Sequence, residues 1–332
     1  MKTRKTLVSL VLSAAMAISM IGCGAAPSSS AGPASAGSGE AAAYTVGICQ
    51  LVQHPALDAA TQGFMDAINE ALPGQVKFDL QNASNDIPTC GVITTGFVAS
   101  DVDLILANAT PALQAAASAT IEIPILGTSI TEYGVALDID NFDGNVGGNI
   151  SGTSDLAPLD QQAAMFAELL PEAKKIGILY CSAEANSVYQ AEVVKKALEE
   201  DGMTVTVYTF SDSNDVTTVT ATACDENDAL YIPTDNTAAS CADAINNAAT
   251  PFGTPIITGD SGTCIKCGIA SFCIDYYELG RTTGQMAVKI LTGEADIAEM
   301  PIEYSAGAQK MYNKSITEAL NIQIPEGYTV ME

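Results

Sequence analysis

Ser, Thr, Asn, Asp and Gln recur along the chain in short clusters, each placed directly after an apolar run. The first half carries Gln50 to His54, Asn82-Ala-Ser84, Asn108-Ala-Thr110 and Thr128-Ser129. The second carries Thr153-Ser-Asp155, Glu184-Ala-Asn186-Ser187, Asp212-Ser213, Thr234-Asp235-Asn236 and Asp260-Ser261. These clusters hold several acids and no Lys or Arg. Such a set can accept from an ammonium group and donate hydroxyls to a carboxylate. It therefore suits a small zwitterion and does not suit a phosphate or nucleotide. Helix N-caps favour the same residue types, and capping is the plainer account of about half of them. The two accounts overlap, because a capping hydroxyl beside free helix N–H groups is also a carboxylate site. Arg281 lies inside a helical pattern and reads as a structural ion pair.

Other chemistry is weaker. Gly259-Asp-Ser-Gly262 spells a serine-protease nucleophile motif, but that needs a histidine base, and the only histidine is His54, just before Pro55. His54 reads as a helix cap or cleft wall. Cys264-Ile-Lys-Cys267 is a lone CxxC, open to reading as a redox pair, half a metal site or a local disulfide. No second CxxC exists, so no metal is expected. No cofactor is expected either. No GxxxxGK[ST] occurs, so any ATP chemistry belongs to another chain. The loops show no base, nucleophile or metal cluster, and the chain reads as a non-enzyme.

The elements that would position these clusters alternate. Strands are expected at Tyr44–Cys49, Val76–Leu80, Asp103–Ala107 and Pro124–Leu126, with helices between them. A matching series follows at Lys175–Tyr180, Met203–Phe210, Asp228–Ile232 and Pro255–Ile257. The halves agree in detail. Ser84-Asn-Asp86 matches Ser213-Asn-Asp215, Asp103-Leu-Ile-Leu matches Asp228-Ala-Leu-Tyr, and Gly127-Thr-Ser129 matches Gly259-Asp-Ser261. The fold class expected is α/β, with two doubly wound parallel-sheet lobes joined by a three-crossing hinge. The crossings are placed at the glycine-rich Asp143–Gly152, at Gly262–Gly268 and at Gly293–Pro301. Lobe 1 then spans 44–150 plus 269–296, and lobe 2 spans 151–268 plus 297–332. Parallel sheets bind ligands beyond the carboxyl ends of their strands. Two lobes would thus present both sets of clusters to one cleft and close over a guest.

Before Tyr44 the chain reads as export and anchoring. Lys2, Arg4 and Lys5 precede an apolar stretch, Leu7–Ile21, of signal-peptide length. Met20-Ile-Gly-Cys23 resembles a bacterial lipobox, which marks Cys23 for lipidation; ordinary signal cleavage is the alternative. Residues 1–22 are thus a signal peptide, and 23–43, rich in Ala, Ser, Gly and Pro, a tether. Across all 332 residues the net charge is −26, which disfavours nucleic acid as a partner. Apolar residues make up 48%, enough for large cores.

Val46-Gly-Ile-Cys-Gln50 with His54-Pro-Ala-Leu-Asp58, Gly127-Thr-Ser-Ile-Thr131, Gly152-Thr-Ser-Asp155, Ser182–Ser187, Pro233-Thr-Asp-Asn236 and Ile274-Asp-Tyr-Tyr-Glu-Leu-Gly280 resemble the ABC-transporter substrate-binding lipoproteins of the tryptophan/tyrosine-binding type. The resemblance implies a type I periplasmic-binding-protein fold, with an aromatic or related amino acid in the inter-lobe cleft. It implies delivery to a permease with a separate ATPase by a monomer lipid-anchored outside the cell membrane. By the same carry-over, Asp235 pairs with the ammonium, flanked by Thr234 and Asn236. Asn186 and Ser187 close the second-lobe side, and Ser129 and Thr110 hold the carboxylate. Gln50, His54, Asn108, Thr128, Thr153, Asp155, Asp260, Asp275 and Tyr276 complete the expected site, with Tyr276 able to stack on a ring. The other functions considered are a sensing module for another membrane protein and an extracytoplasmic α/β enzyme.

Overall fold

A computed structural model describes residues 42–305 and 307–331. The signal segment, Cys23 and nearly all of the tether lie outside the described residues. The first lobe builds from β1 (Tyr44–Gln50), α1 (Pro55–Ala71), β2 (Val76–Asn82), α2 (Ile87–Ala99), β3 (Leu104–Asn108), α3 (Thr110–Ala119), β4 (Ile125–Ile130), α4 (Tyr133–Leu137) and β5 (Ile150–Ser154). The second builds from α5 (Leu159–Leu169), β6 (Lys175–Cys181), α6 (Ala185–Glu200), β7 (Thr204–Phe210), α7 (Val216–Glu226), β8 (Ala229–Ile232), α8 (Asn236–Ser240), α9 (Ala242–Ala249), β9 (Ile256–Thr258), α10 (Ser261–Cys267) and β10 (Ala270–Cys273). The remainder is α11 (Tyr276–Leu291), β11 (Glu303–Tyr304), β12 (Gln309–Tyr312), α12 (Lys314–Ala319) and β13 (Thr329–Val330).

Two sheets result. One runs β11-β5-β4-β3-β1-β2 and the other β13-β12-β10-β9-β8-β6-β7. Five parallel strands in each follow the same order, so β5 and β10 are counterparts. The central strands are buried on both faces, as parallel sheets covered by helices must be. In β1, Val46 and Ile48 join a core with Phe64 and Met286, while Cys49 faces a second core with Phe97 and Ile105. The matched aspartates have one shared role. Asp103 accepts from Thr45 N at 2.6 Å, and Asp228 accepts from Lys174 N and Lys175 N, both at 2.8 Å. Each ties the start of its lobe's third strand to the start of its first.

The lobe boundaries differ from the sequence expectation. Strand β10 belongs to the second sheet, not the first, and β5 and β11 belong to the first. Helix α11 does return to the first lobe, packed against α1. Cβ atoms added at Gly63 and Gly280 would lie 2.1 Å from Tyr277 O and 2.0 Å from Ala60 O, so only glycine allows these backbones to approach. The crossings are correspondingly elsewhere: between Ser154 and Leu159, between Cys273 and Tyr276, and between Tyr304 and Gln309. A crossing is a strand running on into the other lobe, whereas glycine marks turns. Gly144, Gly147 and Gly148 have positive φ in a turn ahead of β5, and the 262–268 segment is mostly helix α10. Cys264 and Cys267 lie on that helix, both buried and unbridged.

Candidate functional site

Strand β4 runs on to Ile130, past the Gly-Thr-Ser that looks like loop punctuation. Its register with β5 shifts between Gly127 and Ile130, and Ser129 there has φ +57°. A bulge of this kind re-aims a side chain, and the left-handed backbone is unfavourable for serine. Asp155 follows β5 directly, held by its N–H to Ile130 O at 3.0 Å. Neighbouring strand ends thus deliver Ser129 and Asp155 to one cavity. Across the cleft, the first turn of α6 supplies Asn186 and the start of α8 supplies Thr234, Asp235 and Asn236. His54, Thr131, Asp260 and Tyr276 join them around a narrow space of about 10 Å³.

Four acids are buried here: Asp155, Glu184, Asp235 and Asp260. Three are spent on helix ends. Asp235 accepts from Ala238 N and Cys181 N, both at 2.7 Å. Asp260 accepts from Thr263 N at 2.8 Å and Thr263 Oγ1 at 2.7 Å. Glu184 takes Thr237 N and Oγ1 on one oxygen and Asn236 N and Nδ2 on the other. Asp155 differs. Its Oδ2 accepts from the Tyr276 hydroxyl at 2.8 Å, while its buried Oδ1 has no partner. Burial pushes its carboxyl up to about 6, against the pull of the Tyr276 and Thr131 hydroxyls and with the Asp260 charge adding to the rise. Burial and the Glu184 charge push Asp235 up to about 8, with the two backbone N–H groups pulling the other way.

Unpaired valence concentrates at this cavity. Among the described residues seven buried side-chain N or O atoms lack a partner, and four of them belong to its wall: His54 Nδ1, Ser129 Oγ, Asp155 Oδ1 and Asn186 Oδ1. Buried polar groups are normally paired, so this convergence marks a place for a polar guest. Hydrogen bonds already span the lobes around it. His54 Nε2 meets Asn236 Oδ1 at 3.2 Å, Asn85 Nδ2 donates to Thr237 Oγ1 at 3.0 Å, and Gln190 Nε2 donates to Thr131 Oγ1 at 3.4 Å. The clamshell is closed.

Of the residues expected at the site, His54, Ser129, Asp155, Asn186, Thr234, Asp235, Asn236, Asp260 and Tyr276 do line the cavity. Seven do not. Gln50 donates to Val52 O and Asp58, and Asn108 donates to Leu57 O and Thr61, so both tie strands to α1. Thr128 and Thr153 close a buried hydroxyl ring with Thr283, at 2.8–3.3 Å. Thr110 is buried in α3 and Ser187 in α6. Asp275 caps α11 through Tyr277 N and Glu278 N and lines a different cavity. Asp235 lines the site, but as a cap with both oxygens engaged; the free carboxylate oxygen is on Asp155. Ala56, Leu57, Thr131 and Ala239 also line the cavity without having been expected there. A strand read to its true end at Ile130 would have exposed Thr131. Among the described residues no cluster of three His, Cys, Asp or Glu side chains could hold a metal.

Comparison with known proteins agrees with this geometry. Residues 45–331 match the family described as ABC transporter substrate binding protein. A protein named tyrosine-binding protein from Clostridioides difficile (strain R20291) is 32% identical over 326 residues, covering 96% of this chain and 93% of that one. The crystal structure of an ABC domain from Streptococcus pneumonia in complex with L-Trp superposes with TM-score 0.82 at 33% identity, over 87% of this chain and 99% of that one. A ligand-free, open substrate binding protein with adhesive properties from Clostridium difficile is 36% identical over 87% and 99% of the two chains. It superposes less well, with TM-score 0.66. That structure is open, whereas hydrogen bonds span the lobes here. Twin lobes, a sealed polar cavity between them and a family match over nearly all the described residues lead to one assignment: the chain belongs to the ABC transporter substrate-binding proteins.

Proposed function

We propose that the protein captures a free aromatic amino acid in the cleft by closing its lobes, and hands it to an ABC permease outside the cell membrane. The observation that carries this reading is the set of four unpaired polar atoms converging on one sealed inter-lobe cavity. Asp155 Oδ1 is the free acceptor for an ammonium, with Asn186 Oδ1 as a second. Ser129 Oγ is the donor for a carboxylate. His54 Nδ1 completes the wall from α1's entry. Asp235, Asp260 and Glu184 hold the helices that frame the site. The relatives favour an aromatic side chain, one being named for tyrosine and another having L-Trp bound. The lipobox-like Met20-Ile-Gly-Cys23 supports attachment through a lipid on Cys23, with the permease and ATPase as separate chains.

The chain contains no tryptophan and 11 tyrosines, so indole emission excited through tyrosine reports the ligand alone. Added tryptophan should give saturable energy transfer, displaced by tyrosine. Failure to see binding of any amino acid by this route or by calorimetry would remove the substrate assignment.

A further inference from the structure

A second cavity adjoins the first and shares Ala56 and Tyr276 with it as wall residues. Its remaining walls come from both lobes: Ala59 of α1 and Tyr277 of α11 on one side, Ile265 of α10, Met311 of β12 and Met331 on the other. Two of the three crossings border it, at Ile274–Asp275 and at Gly307. The volumes are unequal. The central cavity holds about 10 Å³, room for about one water, while its neighbour holds about 430 Å³. Pockets that accept small molecules run from about 300 to 1,000 Å³. The central space thus admits one small charged group such as an ammonium and no ring, whereas its neighbour falls within the ligand range.

We propose that the side chain of the bound amino acid leaves the central cavity past Ala56 and Tyr276 and lodges in this neighbouring cavity, where Met311, Met331, Ile265 and Tyr277 select large apolar or aromatic side chains. The proposal rests on the amino-acid reading above. Tyr276 is where the two spaces meet. Its hydroxyl is fixed to Asp155, so an ammonium on the other Asp155 oxygen sets Cα beside the Tyr276 ring. Methionine thioethers adapt to rings of differing outline and contact them favourably, which fits a site taking either a phenol or an indole. Cys273, also in this wall, stays an uncharged thiol, its ionisation pushed up to about 11 by burial. Ile265 keeps 37% of its surface exposed at this place, an apolar area that a ring would cover. Because the walls belong to both lobes, a ring held there is clamped by the same closure that seals the head group.

Two substitutions test this by calorimetry with tyrosine and with alanine. Ala59→Phe fills the cavity from α1, and Met311→Glu puts a charge into it; neither residue lines the head-group cavity. Both should weaken tyrosine binding by roughly 10- to 200-fold, the range an altered apolar pocket gives, and leave alanine binding as in the wild type. If Ala59→Phe fails to fold, Met311→Glu decides. Unchanged tyrosine affinity, or an equal loss for both ligands, overturns the proposal. Photolabelling of the wild type with 4-azidophenylalanine gives a second reading. Label on Met311, Met331, Ile265 or Tyr277 supports the proposal, and label on Leu57 or Ala239 overturns it. A wild type that binds no amino acid at all instead overturns the function proposed above.

Discussion

A buried carboxylate oxygen without a partner costs free energy in the empty protein, and a ligand ammonium removes that cost. Asp155 is in this position, and two outcomes follow. Asp155→Asn should weaken amino-acid binding by on the order of 10- to 100-fold, the equivalent of one charged hydrogen bond. It should leave the melting temperature of the free protein equal or higher, as measured by calorimetry with and without ligand. The pH dependence has a definite sign. With its ionisation raised to about 6, Asp155 is harder to ionise folded than unfolded. Its share of free-protein stability is therefore greatest in acid and declines as pH rises from about 4, its ordinary value, to about 6. Binding runs the other way, because the ammonium needs the ionised form; affinity at pH 5 should be about tenfold below its plateau above pH 7. A flat affinity profile would show that another group meets the ammonium. Asp235 was legible as a site residue but not in its role. Residue type cannot separate a ligand carboxylate from a cap, and only the positions of Cys181 N and Ala238 N decide it. Asp235→Ala should accordingly lower the stability of the free protein by about 1–3 kcal/mol, from a lost cap and an orphaned N–H. A melting temperature unchanged from wild type would contradict the capping role.

At the scale of elements, the strands were readable because parallel strands buried on both faces are continuous apolar runs. The helices were less so. Helix α2 (IPTCGVITTGFVA) has two glycines and several β-branched residues, and α7 (VTTVTATACDE) is rich in threonine and valine. Both have weak helix propensity and are held by packing on their sheets, which a single sequence does not display. Strand β4 was cut short for the opposite reason, since Gly-Thr-Ser carries turn residues yet stays in the sheet. One element contact bears on closure. A Cβ at Gly262 of α10 would lie 3.4 Å from Pro55 Cβ and 3.6 Å from Ala56 N, on the facing lobe. A leucine there crowds the facing lobe in the closed form and, in either form, Asp260 Oδ1 of its own helix cap, 3.2 Å from that Cβ. Gly262→Leu should cost the closed form about 1–3 kcal/mol, lowering apparent affinity roughly 5- to 150-fold. Wild-type affinity in this variant would mean that α10 and α1 do not meet in the liganded state.

On the scale of the whole molecule, duplication was the most legible feature. Matched short motifs gave the twin lobes because each does the same local work twice, as Asp103 and Asp228 do in anchoring first strands. The crossings were not legible. Two of the three fall in stretches, Leu156–Pro158 and Ile274–Asp275, that carry no glycine, and their position depends on which sheet a strand joins. Of the residues expected at the site, Thr128, Thr153 and Asp275 lie outside the inter-lobe cavity, because their placement depends on strand ends and crossings. The account comes down to a closed molecule gripping both charges of one amino acid. Calorimetric comparison of tyrosine, N-acetyltyrosine and tyramine tests it most directly, since the last two keep the ring and lose one charge each. The prediction is one-to-one binding of tyrosine, with both analogues weaker by at least about tenfold, one charged contact's worth; either analogue binding as tightly as tyrosine would contradict it.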